Sequence, residues 1–231
     1  MGIDLDGAAL ARFQRYYELL AASARRAALT SVTSYEAVQQ RHFVESLALV
    51  AALRRAGVLK PGAEARLLDL GAGAGLPGLP MKLAQPELNL TLLEATAKKA
   101  AFLVNVVRDL GLPTVEVVAA RAEEVAHQPQ SRETYDLVVA RAVAPLPVLL
   151  ELALPFLRLG GHVASPKGSG ARREVAASGR ALAILGGEVV SVGGMSVPGA
   201  RFAPTLVLVR KVSPTPTSYP RRPGMPAKRP L

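Results

Sequence analysis

The chain has 231 residues, of which 50% are hydrophobic, so it is long enough to bury the core of one α/β domain with modest extensions. It contains no cysteine and three scattered histidines, which excludes disulfides, thiolate zinc sites and a cysteine nucleophile and predicts no metal site. The first residues are acidic, and charges and prolines interrupt the most apolar stretch, residues 145–159. We therefore expect a cytoplasmic protein with neither a signal peptide nor a membrane span.

Basic residues exceed acidic ones by ten, 28 Lys and Arg against 18 Asp and Glu, and the excess is concentrated near the C-terminus. No acidic residue follows Glu188, whereas seven basic residues do: Arg201, Arg210, Lys211, Arg221, Arg222, Lys228 and Arg229. A concentration of this kind is typical of proteins that bind a polyanion, most often a nucleic acid. A solvated basic tail is the alternative, and a membrane surface is disfavoured because no amphipathic face accompanies the charges.

Two helices are predicted before residue 60. The first covers residues 6–28; the second follows Ser34, whose hydroxyl suits an N-cap, and stops at Gly57. We expect residues 1–60 to form an N-terminal helical cap. Within it we interpret His42 as a packing or capping histidine, with an RNA contact as the alternative.

Strand and helix patterns alternate over residues 61–212. Strands are predicted at residues 67–70, 88–94, 114–119, 135–140, 162–165, 189–192 and 205–209, and helices at 76–84, 97–110, 145–158 and 171–185. The loop between the last two strands is too short for a helical crossover, so these strands should pair antiparallel. This pattern predicts a doubly wound, Rossmann-like α/β sheet of seven strands with the last antiparallel.

Six prolines mark the remaining segment, residues 213–231, as a basic, Pro-rich C-terminal tail. Proline disfavours both helix interiors and central strands, so the tail should be extended. We expect it to lie over the body of the protein or to become ordered on a partner.

The turn after the first strand predicts a nucleoside-cofactor site. Its sequence is Leu68-Asp69-Leu70-Gly71-Ala72-Gly73-Ala74-Gly75-Leu76-Pro77-Gly78. The glycines allow a sharp turn and bring the backbone close to a ligand, and Glu94 closes the second strand where a carboxylate can accept from two ribose hydroxyls. The turn also fits the dinucleotide pattern G-x-G-x-x-G, but Asp69 just before it is typical of S-adenosylmethionine (SAM) methyltransferases. We therefore favour SAM, bound by Asp69, Gly71, Gly73, Gly75 and Glu94.

The residues after the fourth strand indicate which kind of atom accepts the methyl group. Enzymes that methylate exocyclic amines of adenine or cytosine carry Asp/Asn-Pro-Pro-Tyr/Phe there, whereas this chain has Ala140-Arg141-Ala142-Val143-Ala144-Pro145. Methylation of a ring nitrogen such as guanine N7 needs no general base, so aligning the base with the methyl group suffices. Arg141 is a candidate for binding that base or orienting the cofactor, and an ion pair with Glu123 or Glu124 is the alternative. No residue is assigned as a certain catalytic group.

At this point the sequence resembles the RsmG (GidB) family of bacterial 16S rRNA guanine-N7 methyltransferases, which act on the 530 loop. The resemblance covers nearly the whole chain. Its most specific parts are the run from Ala140 to Leu146 and the ending Tyr219-Pro220-Arg221-Arg222 to Lys228-Arg229-Pro230-Leu231. The glycine turn, Arg121-Ala122-Glu123-Glu124 and Lys167-Gly168 also match. The cap departs from the family pattern at Ala28 and Glu45, where the family has Asn and Asp.

The resemblance implies particular site residues and partners. Cofactor contacts fall on Gly71, Leu76, Glu94, Ala95, Thr96, Ala122, Glu123 and Arg141. From the residues themselves we expect RNA contacts at Lys167, Tyr219, Arg221, Arg222, Lys228 and Arg229. Lys167, which follows the fifth strand, is also a candidate for positioning the guanine, with a solvated lysine as the alternative. The implied partner is 16S rRNA, as a small ribosomal subunit or an assembly intermediate, and we expect a monomer. A small-molecule methyltransferase and a non-catalytic RNA-binding protein with a relict SAM site remain as alternatives.

Overall fold

The sheet places the ends of its central strands at one edge, where the predicted cofactor turn lies. The computed structural model describes residues 2–23, 29–30, 32 and 34–231. Over these ranges seven strands pair in the order β3-β2-β1-β4-β5-β7-β6. They are β1 (Ala65–Leu70), β2 (Leu88–Leu93), β3 (Val115–Val118), β4 (Tyr135–Val139), β5 (Leu157–Lys167), β6 (Gly187–Gly194) and β7 (Thr205–Lys211).

Strand directions confirm the predicted sheet. Strands β3, β2, β1, β4 and β5 run parallel, and β7 runs antiparallel to both of its neighbours, β5 and β6. The chain order reverses between β1 and β4, which opens a crevice at the carboxyl ends of these strands. In sheets of this kind that crevice is where ligands bind.

Helices cover both faces of the sheet. They are α1 (Gly7–Ser23), α2 (Tyr35–Val38), α3 (Glu45–Arg55), α4 (Gly78–Ala84), α5 (Ala97–Asp109), α6 (Ala122–Val125), α7 (Leu146–Ala153), α8 (Ala171–Ala176), α9 (Gly179–Leu185) and α10 (Met225–Lys228). A π-helical turn, Gln39–Val44, joins α2 to α3, and a 3₁₀ turn, Leu154–Phe156, follows α7. No helix of the described residues is long and apolar enough to cross a membrane.

The N-terminal helices share a core with one face of the sheet. Phe43 lies between two aromatic side chains of α1, with ring centroids 5.1 Å from Phe13 and 5.4 Å from Tyr16. The buried Tyr16 hydroxyl donates to the carbonyl of Ala74 in the glycine turn at 2.6 Å. The helical cap therefore rests directly on the predicted cofactor site.

Three predicted elements of the sheet region differ from the observed ones. The strand predicted at 162–165 begins at Leu157, because Gly160, at φ +80°, lets the chain pass through a bulge. The helix predicted to reach residue 158 therefore ends earlier, at Ala153. The helix predicted over 171–185 is interrupted at Ser178, whose hydroxyl donates to the carbonyl of Glu174. The first helix is described to Ser23, and its predicted end at 24–28 lies outside the described residues.

A further difference concerns the tail. Its prolines led us to predict no helix, yet α10 forms near the C-terminus and contains Pro226. Pro226 lies in the first turn, where a backbone N–H has no intrahelical partner, so proline is tolerated there. The tail packs against the body of the protein, with Pro220 and Pro226 buried.

Candidate functional site

The glycine turn between β1 and α4 forms the floor of the candidate site. Gly71 and Gly73 have φ values of +68° and +58°, a region that disfavours other residues. The amides of Gly71 and Ala72 both donate to the carbonyl of Leu93, which ties the turn to the end of β2. A Cβ at Gly71 would lie 2.9 Å from a methyl group of Val143, and a Cβ at Gly73 would meet nothing closer than 3.8 Å. The space next to Gly73 is therefore open, and a side chain at this position would occupy it.

Asp69 is fully buried beneath this turn. Its Oδ2 accepts from the amide of Gly78 at 2.8 Å, whereas Oδ1 has no hydrogen-bond partner among the residues described. Burial raises the pKa of the Asp69 carboxyl to about 7, against the smaller opposing effects of the Gly78 hydrogen bond and of Arg141. A buried carboxyl with one unsatisfied oxygen suits a ligand that brings a positive charge, as the ammonium group of SAM does.

Glu94 fixes the turn from the opposite side. Its Oε2 accepts from the amide of Gly73 at 2.9 Å, and its Oε1 accepts from the amide of Thr96 at 2.8 Å. Each carboxylate oxygen can accept a second hydrogen bond, so the group can also receive the hydroxyls of a ribose. The spacing that predicted Glu94 at the end of the second strand thus brings it onto the glycine turn.

Two cavities meet at Gly71. One of about 390 Å³ is lined by residues including Thr30, His42, Gly73, Leu76, Lys99 and Arg141. The other, of about 260 Å³, is lined by residues including Leu93, Ala95, Ala122, Glu123 and Val148. Four predicted cofactor residues line neither cavity: Asp69, Gly75, Glu94 and Thr96, the last of which is the N-cap residue of α5.

Arg141 joins the N-terminal helices to the site. Its guanidinium donates to the carbonyl of Arg41 at 3.2 Å and to Nδ1 of His42 at 3.5 Å, and it lies 3.5 Å from Glu45 Oε1. The alternative in which Arg141 pairs with Glu123 or Glu124 is therefore wrong. Burial and the neighbouring Arg141 lower the pKa of His42 to about 4, so its ring is neutral at pH 7. Its Nε2 lies 3.0 Å from the Thr30 hydroxyl, so the tautomer with the proton on Nε2 leaves Nδ1 free to accept from Arg141.

A larger cavity of about 850 Å³ adjoins the site on the other side of Arg141. Its wall includes Arg141, Lys167, Glu45, Glu174 and Phe202. Lys167 Nζ donates to the carbonyl of Ala144 at 2.6 Å and lies 3.0 Å from Glu174 Oε2. Both carboxylates of this wall are therefore paired with a cation.

The loop after β4 separates this cavity from the cofactor side. Ala142 has φ +57°, an uncommon conformation for a residue with a Cβ, and the Leu146 amide donates to Glu174 Oε2 at 2.7 Å. Strained backbone of this kind persists where the surroundings hold it, often at functional sites. Lys167 and Glu174 thus hold the loop that carries Arg141.

Sequence reasoning missed several residues that line these cavities. The sequence indicates Glu45 only as a departure from a family pattern, and no pattern indicates Phe202, a residue that is 84% exposed and lines the 850 Å³ cavity. Gly224, Pro226 and Ala227 of the tail line the 260 Å³ cavity, although the tail was assigned to RNA alone. Such proximity between distant segments leaves no local sequence signal.

The basic residues of the tail divide into two groups. Arg221 lies against Glu151 of α7, with Nη2 2.6 Å from Oε2, so its guanidinium is already engaged. Tyr219 packs against the core, and its carbonyl accepts from Arg132 at 2.9 Å. Arg222, Lys228 and Arg229 are exposed. Among the residues that the structure describes, no group of three His, Asp or Glu side chains is placed to hold a metal.

Solved structures of the same fold include SAM enzymes. A SAM-dependent methyltransferase from Aquifex aeolicus superposes with a TM-score of 0.55 at 18% identity, over 76% of this chain and 93% of that one. The TYW2 protein of M. jannaschii, solved with AdoMet, gives a TM-score of 0.53 at 14% identity, over 71% of this chain and 74% of that one. These similarities establish the fold. Fold and site together define a SAM-dependent methyltransferase.

The family is established by sequence. The model of rRNA small subunit methyltransferase G matches residues 9–201. The protein of this name from Roseiflexus castenholzii is 46% identical over 230 residues, covering 100% of this chain and 95% of that protein. The one from Dehalococcoides mccartyi strain BAV1 is 43% identical over 231 residues, with the same two shares. The chain belongs to the rRNA small subunit methyltransferase G family.

Proposed function

We propose that this protein transfers the methyl group of SAM to N7 of a guanine in the 530 loop of 16S rRNA. The relatives that match the whole chain carry the name ribosomal RNA small subunit methyltransferase G, which supports rRNA of the small subunit as the substrate. The guanine and its position rest on the family resemblance of the Arg141 loop and the C-terminal residues.

The observation that carries the proposal is the 850 Å³ cavity beside the cofactor side. Arg141 and Ala142 line both this cavity and the 390 Å³ cavity, so a base bound in the larger one lies next to the cofactor. Arg141 and Lys167 can donate to acceptors such as N7 and O6 of guanine. The loop after β4 lacks the Asp/Asn-Pro-Pro-Tyr/Phe sequence of enzymes that methylate exocyclic amines.

The proposed reaction requires the protein mainly to align guanine N7 with the methyl group. Bound SAM would supply an electrophilic methyl group. The N7 lone pair of guanine, which carries no proton, would attack it as the methyl–sulfur bond breaks and S-adenosylhomocysteine leaves. The residues of the chain then have two tasks, to hold the base in line and to exclude water. The ion pairs of Glu45 and Glu174 leave the cavity wall without a free carboxylate that would act as a general base.

The charge distribution supports an RNA partner. Arg222, Lys228 and Arg229 are exposed on the tail, in a chain with a net charge of +10. We extend the proposal to a monomer that acts in the cytoplasm on a small subunit or an assembly intermediate. The Pro-rich tail would contact the rRNA backbone outside the cavity through these three cations.

Transfer of labelled methyl groups tests this proposal. Small subunits and naked 16S rRNA from cells lacking the enzyme are incubated with the protein and methyl-labelled SAM, with subunits from wild-type cells as the control. We expect label in 16S rRNA only with the unmodified substrates. Label in a small molecule, or SAM binding without transfer to either substrate, would overturn the proposal in favour of one of the two alternatives.

A further inference from the structure

We infer that the C-terminal segment, residues 219–231, forms one wall of the adenine subsite of the cofactor pocket. The inference rests on the proposed placement of SAM, with its adenine in the 260 Å³ cavity beside Ala122 and Glu123. It assigns to the tail a cofactor-binding role in addition to its proposed contact with RNA.

The cavity itself is built partly from the tail. Its lining combines Gly71, Leu93 and the start of α6 with Gly224, Pro226 and Ala227 of the tail. Two apolar residues of α7, Val148 and Leu152, also line it. A flat, mostly apolar ring with polar edges fits a cavity of this composition, since most ligand sites combine apolar walls with few polar groups.

A hydrogen bond joins the tail to α6 at this cavity. Oε1 of Glu123, which is 8% exposed, accepts from the amide of Gly224 at 3.0 Å. Gly224 has φ +82°, a conformation that favours glycine and that lets its amide reach the carboxylate. No hydrogen bond to Glu123 Oε2 occurs within the described residues, so this oxygen can accept from an exocyclic amine such as that of adenine.

Hydrogen bonds elsewhere hold the tail against the body. Glu151 is fully buried, and its carboxylate accepts from the Arg221 backbone amide and from two nitrogens of the Arg221 guanidinium at 2.6–2.9 Å. Arg132 donates to the carbonyls of Thr215, Pro216 and Tyr219, and a ring nitrogen of His127 lies 2.8 Å from the carbonyl of Pro220. Releasing the tail would leave the Glu151 charge buried without a partner, which is strongly unfavourable.

Cofactor binding and tail docking are therefore linked. A ligand that contacts the docked tail binds the docked state more tightly, so it must also stabilise docking by the same factor. Adenosine alone should do this, because it occupies the adenine subsite, whereas methionine should not.

Substitution of Ala227 tests the wall without disturbing the core. Ala227 is exposed on α10, so Ala227→Trp should fold while its ring enters the cavity; Thr217→Trp, exposed in the tail but outside the cavity, is the matched control. By isothermal titration we expect Ala227→Trp to weaken SAM binding at least tenfold and Thr217→Trp to change it less than twofold. Melting temperatures verify that both variants fold. Equal SAM affinity in folded Ala227→Trp and the wild type would overturn the inference.

Hydrogen exchange of the wild type supplies a second test that needs no variant. We expect adenosine and SAM to slow amide exchange in residues 219–231, and methionine to leave it unchanged. Exchange that is equal with and without SAM, in a wild-type protein that binds SAM, would overturn the inference and leave the proposed function standing. Failure of the wild type to bind SAM would overturn the proposed function and this inference with it.

Discussion

The Arg141 guanidinium lies 3.5 Å from Glu45 Oε1, across a gap between the loop after β4 and helix α3. The two side chains are 17% and 22% exposed, so water screens the pair only partly. The carbonyl of Arg41 and the ring of His42 complete the surroundings of the guanidinium. The N-terminal helices therefore supply the groups that position the Arg141 guanidinium.

This arrangement predicts unequal effects for Arg141 and Glu45. Arg141→Ala removes the donor from both cavities and should lower kcat/KM by at least about tenfold, equivalent to ~1.4 kcal/mol of transition-state stabilisation. Glu45→Gln keeps the two other hydrogen bonds of Arg141, so we expect a loss of only about two- to fivefold, on the order of 1 kcal/mol or less. Steady-state kinetics on small subunits measure both. Full activity of Arg141→Ala would contradict the assignment.

Asp69→Asn should affect stability and cofactor binding in opposite directions. The pKa of this carboxyl is about 3.8 in the unfolded chain and about 7 in the folded protein. Its protonation therefore adds to the free energy of unfolding in full below pH 4, and this contribution is lost as pH rises through 7. Asparagine mimics the protonated carboxyl at every pH. Without SAM, the variant should therefore melt higher than the wild type at pH 8, and this difference should disappear near pH 4.

The same substitution removes the negative charge that SAM would meet. We expect SAM to raise the melting temperature of Asp69→Asn less than that of the wild type at pH 8. Thermal melts with and without SAM measure both effects. A variant that is less stable than the wild type without SAM, or equally stabilised by SAM, would count against the role assigned to Asp69.

Removing exposed charge from the tail should weaken RNA binding and its dependence on salt. Lys228→Gln/Arg229→Gln should lower the slope of log affinity against log salt by about 0.7 to 0.9 for each phosphate that the protein no longer neutralises. Arg55→Gln/Lys60→Gln removes the same charge from a region outside the tail and serves as the control. Binding to 16S rRNA is measured over a salt series. Equal slopes in the two variants would show that Lys228 and Arg229 do not contact RNA.

The methyl-transfer step should be nearly independent of pH between 6 and 8. Guanine N7 carries no proton, and His42 stays neutral in this range because burial and the neighbouring Arg141 lower its pKa to about 4. Asp69, whose pKa burial raises to about 7, should affect SAM binding, so single-turnover rates at saturating SAM should vary by less than about twofold. A tenfold rise that follows one titration and persists in Asp69→Asn would indicate a general base and contradict the proposed reaction.

Sequence reasoning identified the elements whose signal is local. The order of strands and the spacing from Asp69 through the glycine turn to Glu94 predict the sheet and the cofactor turn, because backbone conformation and strand ends impose these residues directly. The antiparallel last strand also follows from a local feature, the short link between β6 and β7.

Contacts that the sequence did not indicate join residues far apart in the chain. The tail lies over the body of the protein, which was one of the two expected outcomes, but its contact between Arg221 and Glu151 joins residues 70 positions apart. The ion pair of Arg141 with Glu45 spans 96 positions. No local sequence pattern predicts ion pairs of this kind. Such pairs determine whether a basic side chain is free to contact RNA or is bound to a carboxylate of the protein.

The site of methylation tests the central claim most directly. Small subunits from a strain lacking the enzyme are methylated with the purified protein and SAM, and the rRNA is then cleaved chemically at N7-methylguanine and read by primer extension. We predict one new cleavage, at a guanine of the 530 loop, that appears at least about tenfold more slowly with Arg141→Ala. Cleavage elsewhere in 16S rRNA, or a methyl group on an exocyclic amine or a ribose, would contradict this account.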